Sequence, residues 1–231
     1  MKETPRALLQ KLRKGLIEVA DSSKAPAMRA YMKSTMPYHG VPAPVLRKTF
    51  RAILGRASFA SADEWQGFVL YIWRNAKFRE ERYAALALCE LRGVREFQTL
   101  AALPMYEELI VTGAWWDYVD VLASHCLGEL LRRHPREISK KMKEWSRSDN
   151  LWKRRSAILC QLQFKKDTDL KLLYACIAPS MDSTEFFLRK AIGWALRQYA
   201  WTDPVEIARY VRAHDAALSP LSKREALKHR R

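Results

Sequence analysis

A short aromatic and acidic segment near the middle of the chain is the strongest candidate for chemistry. Residues 115–120 read Trp-Trp-Asp-Tyr-Val-Asp. Trp116 and Asp120 are four residues apart, so on a helix they share one face, whereas Trp115 and Asp117 point elsewhere and one of them should pack or cap. A carboxylate on an otherwise basic surface repels phosphate, so we expect one only where a cation must be stabilised. The alternative is a core tryptophan pair with a helix-capping Asp117.

Two further segments carry unusual residues for a helix. Gly193 lies inside a helical pattern, where glycine costs about 1 kcal/mol relative to alanine, so it predicts close approach of another backbone or of a ligand. Trp194 follows it directly and Arg197 lies one turn on. In residues 149–155, three cations stand in the first turns of a helix, where they oppose the helix dipole. Phosphate contact explains that placement better than local stability does.

Other catalytic and cofactor chemistry finds little support. The five histidines show no metal-ligand spacing, and there is no glycine-rich phosphate loop or nucleophile-elbow motif. The four cysteines form no CxxC pair and stand in apolar helical contexts, which predicts buried, reduced thiols. We therefore expect no metal and no cofactor.

The elements that position these residues are predicted to be helices throughout. Helical periodicity covers most of the chain, hairpin signals are absent, and capping residues precede Leu151 and Phe186. The pattern Arg-x-Ala-apolar recurs at separations of 73, 34 and 35 residues, beginning at Arg82, Arg155, Arg189 and Arg224. One period is missing near residue 118, where the pattern gives way to Trp-Trp-Asp. A period in the mid-thirties predicts an all-α fold, an α-solenoid superhelix with repeats of the HEAT or TPR type, in a single domain spanning residues 1–231.

The charge balance points to a polyanion as the partner. The 231 residues include 41 Lys+Arg and 25 Asp+Glu, a formal net charge of +16. Such an excess favours nucleic acid first and an anionic membrane second, with a merely solvated positive surface as the alternative. The repeated arginines could line a concave DNA-binding face, or each could bridge helices within its repeat. No apolar run approaches the ~18 residues of a spanning helix, and no signal peptide is present, so we expect a cytoplasmic, nucleoid-associated protein.

The segments described above resemble those of the AlkD family of DNA alkylation-repair glycosylases, which are built from HEAT-like repeats. The matching segments are residues 28–33, 40–47, 107–120, 148–162, 185–200 and 218–229. The resemblance implies hydrolysis of the N-glycosidic bond of alkylated purines, notably 3-methyladenine and 7-methylguanine, in double-stranded DNA. One departure is the turn at Pro42 and Ala43, which is less polar than the family's and puts DNA contacts by those two side chains in doubt.

The resemblance also implies roles for individual residues. It places the catalytic aspartate at Asp120, the two tryptophans that face the lesion at Trp116 and Trp194, and the phosphate-contacting arginine at Arg155. Further DNA-binding cleft positions fall on Tyr31, Arg47 and Arg197.

The chemistry of the lesion agrees with these roles. An N3- or N7-alkylated purine is already cationic and leaves without a general acid, so an oxocarbenium-like sugar remains for a carboxylate to stabilise. No lysine lies in the turn of Trp116 and Asp120, which predicts a monofunctional glycosylase, and a monomer suits a protein that wraps a duplex. Two alternatives stay open: a non-catalytic α-solenoid that binds damaged or branched DNA, and a protein-binding scaffold.

Overall fold

The computed structural model describes residues 3–228, and every regular element within that range is a helix. The all-α prediction is therefore confirmed. The chain divides into two compact units, one ending at Gln98 and the other beginning at Thr99. Residues 1, 2 and 229–231 of the predicted domain lie outside the described range, and the single domain spanning 1–231 stays a prediction.

In the part of the first unit that the structure describes, residues 3–98, there are five α-helices. They are α1 (Pro5–Glu18), α2 (Ala25–Tyr31), α3 (Ala43–Leu54), α4 (Ala62–Asn75) and α5 (Arg79–Cys89), followed by a 3-10 helix at Arg92–Phe97. The hydroxyls of Thr4 and Ser61 cap α1 and α4 by accepting from backbone N–H groups three residues on. The leucines of α1, spaced by three and four residues, are fully buried and pack it against α3, α4 and α5.

Within its described residues, 99–228, the second unit contains nine α-helices and a π-helical segment, Leu122–Leu127. The helices are α6 (Leu103–Gly113), α7 (Trp116–Val121), α8 (Gly128–Arg133), α9 (Pro135–Trp145), α10 (Leu151–Leu159), α11 (Leu170–Ile177), α12 (Phe186–Ala200), α13 (Pro204–Ala213) and α14 (Pro220–Ala226). Short 3-10 helices lie at Leu100–Ala102, Lys165–Asp167 and Ala178–Ser180. Helix α10 is the hub of this unit, because it packs against α6, α7, α9, α11 and α12.

The repeated Arg-x-Ala pattern is first of all a packing pattern. Its four alanines, Ala84, Ala157, Ala191 and Ala226, are all at most 1% exposed. The four arginines are not equally exposed: Arg155 is buried, Arg82 and Arg189 are half-buried, and Arg224 is exposed. Arg82 lies 4.5 Å from the centre of the Trp73 ring, and Arg189 donates to the Ser183 carbonyl at 2.7 Å. The alternative in which each arginine bridges helices or binds carbonyls inside its own repeat therefore accounts for Arg82 and Arg189.

Two smaller expectations concern the cysteines and the membrane. All four cysteines are buried and free, as predicted, and burial raises the pKa of Cys176 to about 12. No helix within residues 3–228 is long and apolar enough to cross a membrane.

Candidate functional site

The Trp-Trp-Asp segment forms the start of α7. Helix α6 ends at Gly113. Its C-cap residue, Ala114, has a left-handed φ of 44° and ψ of 41° and turns the chain, and Trp115 then stands extended at the N-cap of α7. The Trp115 ring packs against Trp152, with centres 6.1 Å apart, and against the edge of Phe187 at 5.4 Å. Trp115 is therefore the packing residue that the sequence led us to expect. Trp116 is half-buried, and Asp120 follows one turn later on the same helix.

Asp120 is held by a two-pronged ion pair with Arg155 of α10. Arg155 Nε donates to Asp120 Oδ1 at 2.7 Å, and Nη2 donates to Oδ2 at 2.8 Å. The remaining nitrogen, Nη1, donates to the carbonyl of Phe187 at 2.5 Å. The Asp120 and Arg155 side chains are only 14% and 5% exposed. Such parallel bonds fix the carboxylate in orientation as well as in place.

Opposing influences set the protonation of Asp120. Burial raises its pKa, hydrogen bonding and the charge of Arg155 oppose that rise, and nearby Asp117 adds to it. The net result is a pKa above the usual value. A carboxylate that is removed from bulk water yet fixed by a guanidinium is suited to stabilising a cation that develops close to it.

The backbone next to Asp120 departs from regular α-helix. The π-helical segment begins two residues later, and Ser124 Oγ donates to the Asp120 carbonyl at 2.6 Å. π-Helical turns inside α-helices occur frequently at functional sites.

Trp194 and Arg197 lie on α12, the helix that packs against α10. Trp194 is half-buried and contacts the hydrophobic core of this unit. A Cβ on Gly193 would lie 2.4 Å from the Cβ of Glu225 and 2.9 Å from the Ser222 carbonyl oxygen of α14. The predicted close approach of another backbone at Gly193 is therefore confirmed. Arg197 Nη1 donates to Glu225 Oε2 at 2.5 Å.

The cations at the start of α10 all have partners within the protein. Asn150 caps the helix, with Oδ1 accepting from the backbone N–H groups of Trp152 and Lys153. Lys153 forms an ion pair with Glu107, and Arg154 donates to the Pro179 carbonyl and the Ser180 hydroxyl. The phosphate contacts predicted for this segment stay predictions.

The other two predicted DNA-binding residues belong to the first unit. Tyr31, the last residue of α2, is 77% exposed, and Arg47 is exposed on α3. Both side chains are accessible, and their predicted contacts with DNA stay predictions.

Sequence reasoning missed Glu225 and the ring and carbonyl of Phe187. The signal for Glu225 was present: Lys190 and Glu225 follow the arginine in two successive repeats, 35 residues apart, with opposite charges, and their side chains meet at 3.1 Å. Asp120 and Arg155 are also 35 residues apart. Among residues 3–228, no group of three or more His, Cys, Asp or Glu is placed to hold a metal ion.

Comparison with known proteins gives matches to a family model and to solved structures. A family model described as DNA alkylation repair enzyme matches residues 12–229. A solved structure described as a predicted DNA alkylation repair enzyme from Enterococcus faecalis is similar with a TM-score of 0.81 and 28% sequence identity. The similarity covers 91% of this chain and 96% of that one. No curated protein matches the chain.

Proposed function

Because the chain belongs to the family of DNA alkylation repair enzymes, we propose that it is a monofunctional DNA glycosylase. Its substrates are cationic alkylated purines, such as 3-methyladenine and 7-methylguanine, in double-stranded DNA. The observation that carries the proposal is the Asp120 carboxylate, one helical turn from Trp116, largely buried and held at both oxygens by Arg155.

The proposed reaction is a hydrolysis in which the lesion itself supplies the leaving group. The bond between C1′ and the purine nitrogen breaks, and its electron pair goes to the purine, whose positive charge it neutralises. The sugar becomes oxocarbenium-like, a water oxygen attacks C1′, and the proton of that water passes to Asp120 or to solvent. The products are a free base and an abasic site.

Asp120 stabilises the cation because its charge is preorganised. Arg155 fixes the carboxylate before the substrate arrives, so little reorganisation is needed as positive charge develops on the sugar. Arg155 spends three of its five N–H donors on Asp120 and Phe187, which leaves two for the predicted phosphate contact.

The two tryptophans hold the lesion nucleotide in this proposal. The faces of Trp116 and Trp194 can contact the cationic sugar and base, with about 0.5–2 kcal/mol for each cation–π contact. Tyr31, Arg47 and Arg197 contact the DNA backbone, and the net charge of +16 supports a duplex as the partner. We also propose that the protein acts as a monomer in the cytoplasm, without a metal or other cofactor.

The test is the fate of a duplex that carries a single 7-methylguanine. We expect release of the free base, strand cleavage at the resulting site only after alkali, and no protein–DNA adduct after borohydride reduction. Tight binding without base release, together with preference for branched over linear DNA, would support the non-catalytic DNA-binding alternative. A trapped adduct would contradict the monofunctional chemistry.

A further inference from the structure

The buried carboxylate of Glu225, on α14, forms ion pairs with three cations beside the face of α12 that carries Trp194. Glu225 is 4% exposed, and its oxygens accept from Arg197 at 2.5 Å, Lys228 at 2.6 Å and Lys190 at 3.1 Å. The group of four carries a net charge of +2. It lies outside the Asp120–Arg155 pair, and of its members the proposed function uses only Arg197, as a contact to DNA.

Helix geometry places two of these cations on either side of Trp194. Lys190, Trp194 and Arg197 are spaced by four and three residues, so they lie along one face of α12. Lys190 and Arg197 are seven residues apart, about 10 Å along the helix axis. Because both side chains reach the same carboxylate, their charged ends converge on one point beside that face.

The close approach of α14 is what brings the carboxylate within reach. Gly193 leaves no Cβ between the helices, and Ser222 Oγ donates to the Arg189 carbonyl at 2.9 Å. The Glu225 side chain of α14 is therefore held at a fixed position along the axis of α12. Burial alone would raise its pKa, but the hydrogen bonds from Lys228, Lys190 and Arg197 lower it to about 2, so the carboxylate is ionised at neutral pH.

Lys190 and Arg197 keep donors for a further anion. Their side chains are 38% and 23% exposed, whereas that of Glu225 is 5% exposed. Within the described part of the chain, the only polar partner found for either head group is Glu225. A lysine has three N–H donors and an arginine has five, so most of their donors can reach a ligand at the surface.

We propose that Lys190 and Arg197 form a binding site for one DNA phosphodiester beside Trp194, and that Glu225 is the positioning residue that holds the pair in place. The inference rests on the proposed function for the identity of the ligand. It adds Lys190 as a phosphate ligand. It also assigns Glu225 a positioning role that its charge alone does not predict. A carboxylate that merely offset positive charge would weaken DNA binding, whereas a positioning carboxylate strengthens it.

The experiment measures affinity for an unmodified duplex as a function of salt, so it requires no base release. The logarithm of the binding constant falls linearly with that of the salt concentration, with a slope of about −0.9 for each phosphate contact. We expect Lys190→Gln and Arg197→Gln each to weaken binding, and the double variant to lose the one phosphodiester contact, so that the magnitude of the slope falls by about 0.9 and binding weakens about fivefold at 0.15 M salt.

Glu225→Gln then separates positioning from charge. It raises the net charge by one, yet we expect weaker binding and a shallower slope. Its matched control is Glu144→Gln, which makes the same charge change at an exposed glutamate paired with Lys141 in the same unit, and which should bind no more weakly than wild type. When Lys190 and Arg197 are already glutamine, Glu225→Gln should change the slope no further.

Two results would overturn the inference. If Glu225→Gln bound DNA more tightly than wild type, Glu225 would only offset positive charge and would not position the two cations. An unchanged slope when both Lys190 and Arg197 are replaced by glutamine would rule out the phosphodiester site, even if Glu225→Gln failed to fold. Failure of the glycosylase proposal is a separate outcome, since wild type would then release no base whatever these slopes are.

Discussion

The ionisation of Asp120 depends on one partner. Burial disfavours the charged carboxylate, and Arg155 opposes that effect through two hydrogen bonds and its charge. A carboxylate that stabilises a cation must be ionised, so the proposed reaction slows as the pH falls through the pKa of Asp120.

Replacing Arg155 should therefore move the acid limb of the pH–rate profile. Arg155→Gln removes the influence that lowers the pKa of Asp120 but leaves the carboxylate buried, so that pKa rises and the limb shifts to higher pH. The rate above the limb should also fall, because the carboxylate loses its fixed orientation. The measurement is the single-turnover rate of base release between about pH 5 and pH 9.

The neighbouring arginine provides the control. Arg154 binds the Pro179 carbonyl and the Ser180 hydroxyl and makes no bond to Asp120. Arg154→Gln should leave the acid limb where it is in wild type. A limb that stays in place in Arg155→Gln would show that the ionisation of Asp120 does not limit the rate.

The sequence predicted where α10 and α12 begin better than it predicted which side chains cap them. Helix α10 begins at Leu151 and is capped by Asn150, as predicted. Helix α12 also begins where predicted, at Phe186, but no side chain caps it, because Ser183 Oγ accepts from the Glu185 backbone N–H within the preceding turn. Competition of this kind between local hydrogen bonds is not visible in residue types alone.

The repeat period contained more information than the helix pattern alone. Asp120 with Arg155, and Lys190 with Glu225, are pairs of opposite charge one period apart, and both meet as ion pairs. Successive repeats bring equivalent positions together, so charges separated by one period become neighbours. Partners off that period, such as the Phe187 carbonyl for Arg155 and the Glu107 carboxylate for Lys153, follow only from the way the helices pack.

Alanine should have opposite effects on stability at two helical glycines, because Gly193 of α12 packs closely against α14 and Gly67 of α4 has open space beside it. Gly193→Ala should lower the free energy of unfolding by about 1–3 kcal/mol, because its Cβ would clash with Glu225 and Ser222. Gly67, inside α4, has no atom within 4 Å of an added Cβ, so Gly67→Ala should raise stability by about 1 kcal/mol. Denaturant unfolding measures both. Equal effects of the two variants would contradict the close packing at Gly193.

The same interface predicts a pH-dependent contribution of Glu225 to stability. The pKa of Glu225 falls from its usual 4.5 to about 2 in the folded protein. Its ionised form therefore stabilises the fold above pH 4.5, by up to about 3 kcal/mol, and this stabilisation is lost as the pH falls towards 2. The difference in unfolding free energy between wild type and Glu225→Gln should be largest near pH 6 and should decrease steadily below pH 4. A difference that is constant with pH would contradict the role of the charge.

For the molecule as a whole, the composition of the chain indicated the class of its partner, and the periodicity of its sequence indicated the class of its fold. A net charge of +16 favours a polyanion, and the family to which the chain belongs acts on DNA. What composition could not give is the use of each cation. Arg155, for which the resemblance predicts a phosphate contact, is almost wholly buried and also binds Asp120, where a lone carboxylate would cost more than a paired one.

In the proposed mechanism, the Asp120 carboxylate carries the chemistry of base release. This role of Asp120 is tested by the single-turnover rate of 7-methylguanine release from duplex DNA by wild type, Asp120→Asn and the control Glu107→Gln. Glu107→Gln makes the same charge change at the partner of Lys153. We expect release by wild type and by the control, a loss of about 100-fold or more in Asp120→Asn, and DNA binding by Asp120→Asn that is unchanged or tighter. Equal release by Asp120→Asn and wild type would contradict the claim and move the catalytic group elsewhere.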